Sequence, residues 1–247
     1  MVATVAIVWP CPDGVEAYAA AGRAVVVPRP GCPRCDRPMI FWAGYPRFVR
    51  AHAGRLYRVW VRRAKCPSCR VTHALLPAFV LLGRVDVVEV IGAVLDRAVA
   101  GAGLRPVAHA LGVPHSTARD WRRRFRARAP ALAAGLAALA VEFGGVAPVL
   151  PAEPEAAALV ALGAAWAWAC QRRQRSGGPG GQVPGRWGFA AVASGGGWLA
   201  ATTPPPWAGP GGRRWLAPVP WSPSREAPCP HPNPPIASSR SRCSATA

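Results

Sequence analysis

The sequence predicts an α+β protein: a small ribbon of antiparallel strands, then a helix-turn-helix domain, Ala-rich helices and a largely disordered C-terminal tail. Three observations carry this. Cys32-Pro33-Arg34-Cys35 is answered, after 30 intervening residues, by Cys66-Pro67-Ser68-Cys69. Leu104 to Arg128 carries the apolar spacing of two short helices joined by a tight turn. From Gln171 onward Gly, Pro, Ser and Arg replace periodic apolar residues, and such sequence buries too little to fold compactly. The segments are 1–30, an N-terminal extension; 31–80, the ribbon; 84–130, the helix-turn-helix; 131–170, the Ala-rich helices; and 171–247, the tail.

Residues 1–30 mix short apolar runs with Pro and Gly, and leave open whether they add a strand or stay loose. In the ribbon, two C-x2-C pairs at this separation suit a site of four thiolates. Each pair forms a knuckle presenting two sulfurs, and the hairpin between them folds the knuckles into a tetrahedron around one structural Zn²⁺. The ligands are therefore Cys32, Cys35, Cys66 and Cys69. Two disulfides or dithiol redox chemistry are the competing readings. The first lacks a secretion signal and the second a βαβ context. Four cysteines close the coordination sphere, which argues against a catalytic metal. His52 and His73 read as ordinary polar positions. Expected strands are Phe48–His52, Leu56–Arg63 and Val71–Leu76, the first two joined by a turn at Ala53-Gly54. A ribbon knuckle usually has glycine after its second cysteine; Asp36 and Arg70 stand there. Arg47, Arg50, Arg55, Arg58, Arg62, Arg63 and Lys65 alternate with Phe48, Tyr57 and Trp60. That pattern fits either core aromatics behind a solvated basic face or a second nucleic-acid contact.

Asp86 to Ala100 is a helix with the stripe Val87, Val90, Ile91, Val94, Leu95 and Ala98, and Asp86 suits its positive end. It supports the two helices that follow. Val107, Ala108 and Leu111 face inward, Gly112 makes the turn, and Val113 plugs it. Ser116 is the expected N-cap of the second helix. Ala118, Trp121 and Phe125 form that helix's buried face, and Ala129-Pro130 is expected to end it. Ala131–Phe143 and Ala156–Cys170 then read as apolar helices that form a hairpin packing on the domain or on a second protomer, or that meet a partner protein. In the tail, Gly188–Leu199 suggests at most a short strand pair, and Trp187 and Trp198 follow no period.

The chain holds 30 basic and 11 acidic residues, net +19, which favours polyanionic partners. Nineteen of the basic residues and five acids lie between Gly31 and Pro130, while Ala131 to Ala169 has no basic residue. Lys65 is the single lysine, so part of the arginine excess reflects GC-rich coding. The placement of the charge is the stronger argument. No leader or membrane span is evident, so the expected compartment is cytoplasmic.

The segments CPRC, CPSC, LLPAFVL (Leu75–Leu81), DVVEVIGAVL and GVPHSTARDWRRRF together resemble a bacterial family of unknown function. That family joins a zinc ribbon to a helix-turn-helix, and is similar to the N-terminal DNA-binding region of insertion-sequence transposases. The likeness covers Cys32 to about Phe143, with fainter echoes up to Trp207. It implies binding of double-stranded DNA in a transposase-related or regulatory setting. Ser116, Thr117, Arg119, Asp120 and Arg123 are the base-edge candidates, and Arg122, Arg124, Arg126 and Arg128 the phosphate candidates. His115 is a candidate for either. A strand-transferring enzyme needs clustered carboxylates, yet after Asp120 only Glu142, Glu153, Glu155 and Glu226 are acidic. No catalytic residue is assigned, and the expectation is a binding protein. An adaptor for a transposase or polymerase, and RNA binding through the ribbon face, are the alternatives.

Overall fold

The computed structural model describes residues 5–175 and 183–199. A four-stranded sheet of order β1-β4-β3-β2 forms the N-terminal layer. Strands β2 (Ile40–Arg50) and β3 (Leu56–Lys65) make the antiparallel hairpin, and β3 pairs with β4 (Thr72–Pro77) only from Arg62 to Lys65. Strand β1 (Val5–Trp9) lies parallel to β4, so the extension does add a strand. Strand β4, paired on both sides, is buried from His73 through Pro77, and it reads as a continuous apolar run for that reason. Helix α1 (Val15–Ala21) lies along the part of β3 that outruns β4, where the buried Tyr18 hydroxyl donates to the Trp60 carbonyl at 3.0 Å.

The hairpin is longer than its sequence suggests. Strand β2 begins at Ile40, with a register shift between Phe41 and Ala43. It is exposed along most of its length, so burial gives no alternating signal before Val49.

Helix α2 (Val88–Val99) buries Val88, Val90, Ile91, Val94, Leu95 and Ala98. The carboxylate of Asp86 does not serve its N-terminus. It pairs instead with Arg50 at the end of β2, with distances of 2.6 and 3.0 Å. Helices α3 (Leu104–Ala110) and α4 (His115–Glu142) complete the three-helix unit. Gly112 adopts φ 67°, and Val113 returns its N–H to the Ala108 carbonyl at 2.9 Å. Ala108, Ala118, Trp121 and Phe125 are all buried, as the spacing predicts.

Two local expectations for α4 fail. Pro114 occupies the N-cap, no side chain caps the helix, and Ser116 lies inside the first turn. The helix also runs through Pro130 to Glu142. An interior proline costs about 3 kcal/mol. Beyond it Leu132, Leu136 and Leu139 are buried, each contributing roughly 1.5–3 kcal/mol. Their burial against α5 (Pro154–Arg175) outweighs the lost hydrogen bond. Ala133, Ala140, Ala158, Ala161 and Ala165 are also buried, and such small side chains let two helix axes approach closely.

The region expected to be a disordered tail is in part ordered. Gln171–Arg175 extends α5, and Arg186–Ala193 forms helix α6 where a strand pair was expected. Trp187 and Trp198 are buried and stacked, with centroids 5.0 Å apart, and Phe125 meets both edge-on. Trp187 sits where a side chain on Gly92 would be, 2.1 Å from its Cβ position, and donates to Asp96 at 3.0 Å. The part of the expected tail from residue 200 onward lies outside the described residues. Among the described residues no helix is long and apolar enough to cross a membrane.

Candidate metal centre and helix-turn-helix surface

The two knuckles are built alike. Cys32 accepts from Asp36 N–H at 2.8 Å and Cys66 from Arg70 N–H at 3.0 Å, both through their carbonyls. Cys32 and Cys66 in turn donate their N–H groups to Arg37 and Val71 at 2.9 Å each. Asp36 and Arg70 sit at φ 60° and 64°. These are the positions where a glycine is usual, and a non-glycine residue there costs roughly 1 kcal/mol. The fold holds the left-handed turns despite the substitutions.

The four cysteines meet at the sheet end where β2 starts and β3 ends. Their Sγ atoms all lie within 4.8 Å of one another, with Cys32–Cys69 at 3.5 Å and Cys35–Cys66 at 3.4 Å. Four thiolates around a tetrahedral ion at 2.3 Å would stand about 3.8 Å apart, so the donor set and its spacing fit a metal ion. The Cys69 backbone N–H points at Cys66 Sγ and, with the neighbouring thiols, holds the Cys66 thiol down to about 6. Neither His52 nor His73 joins the cluster.

On α4 the arginines divide by the partners they find in the fold. Arg119 is exposed and makes no ion pair or hydrogen bond among the described residues. Ser116 is exposed beside it, and His115 and Thr117 are half-buried in the first turn. Asp120 binds Arg123 at 2.6 Å and Arg124 at 2.7 Å, and Arg84 comes within 3.6 Å. The guanidinium groups of Arg123 and Arg124, Arg123 first, hold the Asp120 carboxyl below its ordinary range. The Arg123 side chain remains 75 % exposed. Arg122 and Arg126 reach back to Glu155 in the first turn of α5, at 3.3 and 3.1 Å. Sequence reading missed Glu155 as a partner. Its one available signal was an acid at a helix start in a segment without basic residues.

The ribbon aromatics divide as well. Phe48 is 61 % exposed, so it is no core residue. Trp60 is half-buried with the Arg23 guanidinium 4.4 Å above its ring, and the Tyr57 hydroxyl donates to Glu16. Trp42 is exposed too, with Lys65 and Arg63 within 6 Å of its ring.

No curated protein and no solved structure matches the chain. Residues 32–121, from the first cysteine of the cluster to the buried Trp121 of α4, match the family model of a domain of unknown function, DUF6431.

Proposed function

We propose that this chain binds double-stranded DNA through the N-terminal half of α4, with Zn²⁺ as the structural ion of the four-cysteine centre. The observation that carries the reading is the contrast between the two sides of that helix. Ala118, Trp121 and Phe125 fix one side in the core, while Ser116, Arg119 and Arg123 stand free of it on the other. Arg119 has no competing partner among the described residues, and its planar fork suits the paired acceptors of guanine in a major groove. Zinc is favoured among metals by four thiolates in tetrahedral spacing. The setting is transposase-related or regulatory, with no catalytic role assigned.

The test is selection from a random duplex library with zinc-loaded full-length protein at physiological salt. An enriched motif that disappears in Arg119→Ala supports the reading. Tight binding with no enrichment, or enrichment that Arg119→Ala leaves intact, overturns the assignment of base recognition to α4.

A further inference from the structure

We infer that the outer face of the β2–β3 hairpin is a seat for single-stranded DNA, with Phe48 stacking on an unpaired base and Arg58 holding the adjoining phosphate. Phe48 and Arg58 are directly opposite each other across the two strands, with Arg50 and Leu56 as the next pair and Pro46 and Trp60 as the pair before. A residue and its direct partner share a face of the sheet, as do pairs two positions along. Phe48, Leu56, Arg58 and Trp60 therefore present one surface.

That surface is open where the opposite one is covered. Val49, Val59 and Val61, on the other face, are buried, whereas Phe48 is 61 % and Leu56 64 % exposed. Arg58 is exposed and has no partner among the described residues. At the far end of the face Trp60 already carries a stacked guanidinium from Arg23 at 4.4 Å.

The occupant follows from charge and shape. Gly31 to Val80 holds ten basic residues and one acid, Asp36. A protein-binding patch is depleted of charge at its centre, but here an unpaired arginine lies beside the most exposed ring. An exposed ring flanked by cations suits unpaired bases, whose flat faces stack on it without regard to sequence. Bases inside a duplex are already stacked and cannot reach it. DNA is favoured over RNA because the tip of this hairpin lies against the turn of the helix-turn-helix. The Cβ position of Gly112, in its turn, is 3.4 Å from the Gly54 backbone nitrogen at the hairpin tip. That choice rests on the reading of α4 as a DNA-binding helix.

The experiment is fluorescence anisotropy of zinc-loaded full-length protein with labelled oligothymidylate, oligouridylate of equal length, and a random-sequence duplex. Phe48→Ala is expected to weaken oligothymidylate binding by about tenfold and leave the duplex unaffected, with Phe48→Trp restoring it. Arg58→Ala is expected to flatten the single-strand salt slope by about 0.7. Unchanged affinity in Phe48→Ala, or an equal loss on duplex and single strand, overturns the proposal. So does tighter, Phe48-dependent binding of oligouridylate. Arg119→Ala, measured alongside, reports on the duplex reading separately, so the two can fail independently.

Discussion

Arg50 and Asp86 form a two-point ion pair, Nε to Oδ1 at 2.6 Å and Nη2 to Oδ2 at 3.0 Å, that fastens the end of β2 to the start of α2. The backbone repeats the connection on both sides. Arg50 N–H donates to the Val85 carbonyl at 2.8 Å, and Val87 N–H to the Arg50 carbonyl at 2.9 Å. The Asp86 side chain is 5 % exposed and the Arg50 side chain 27 %, so the pair is shielded on one side only. It sets how the ribbon is carried relative to the helices.

Asp86→Ala is therefore expected to destabilise the protein by about 2 kcal/mol. This is below the 3–5 kcal/mol typical of breaking a fully buried pair, because Arg50 retains some access to water. The double variant Arg50→Met/Asp86→Ala should recover part of that loss. Urea unfolding midpoints of the zinc-loaded proteins measure both. A double variant less stable than Asp86→Ala alone would show that the pair is not what joins the two layers.

Metal removal should have a local effect. The knuckles are held at one end of a sheet whose own core includes Val59, Val61, Leu75 and Leu76, all buried. Chelation is expected to expose Cys32, Cys35, Cys66 and Cys69 to a thiol reagent and lower the thermal midpoint. The far-UV helix signal from α2 to α5 should persist. Loss of the helix signal together with the metal would mean that the centre holds the whole molecule together.

How much of this could be read from sequence depends on the distance between partners. The knuckles are legible because each pair of cysteines is local, and the turn between α3 and α4 because Ala108, Gly112, Val113 and Ala118 lie within eleven residues of one another. Pro130 misleads for the converse reason. The local rule is sound, but the burial that overrides it comes from α5, more than twenty residues on. Strand β1 finds its partner in β4, and Trp187 finds its seat over Gly92, ninety-five residues earlier. No periodicity within either segment encodes such a match. Arg122 and Arg126 are the same case, since the acid that engages them, Glu155, lies about thirty residues on.

Glu155→Gln should raise affinity for duplex DNA. The carboxylate engages both Arg122 and Arg126, and neutralising it frees two guanidinium groups on the helix assigned to DNA. If both then reach phosphates, the slope of log affinity against log salt steepens by up to about 1.8. Random and selected duplexes should gain alike, because phosphate contacts position without specifying. The pair is partly exposed, so the stability cost is expected to stay within about 1 kcal/mol. An unchanged salt slope would place Arg122 and Arg126 off the DNA path.

Asp120 should act in the opposite sense, on specificity. Its two oxygens divide between Arg123 and Arg124, and the first of these pairs points a largely exposed guanidinium in a fixed direction. Asp120→Asn keeps the shape and removes the charge, so Arg123 loses its orientation. The expected result is weaker preference for a selected site, with equal or tighter binding to random duplex. A pH dependence follows with a definite sign. The Asp120 carboxyl is held below its ordinary value in the folded chain, so its contribution is present above the unfolded value near pH 4. It is lost as the pH falls through the lower folded value. The stability difference between wild type and Asp120→Asn should accordingly be constant from neutral pH to about pH 5 and shrink below about pH 4. Denaturant midpoints across that range measure it, and a difference that grows on acidification would mean that Asp120 is not held ionised by Arg123 and Arg124.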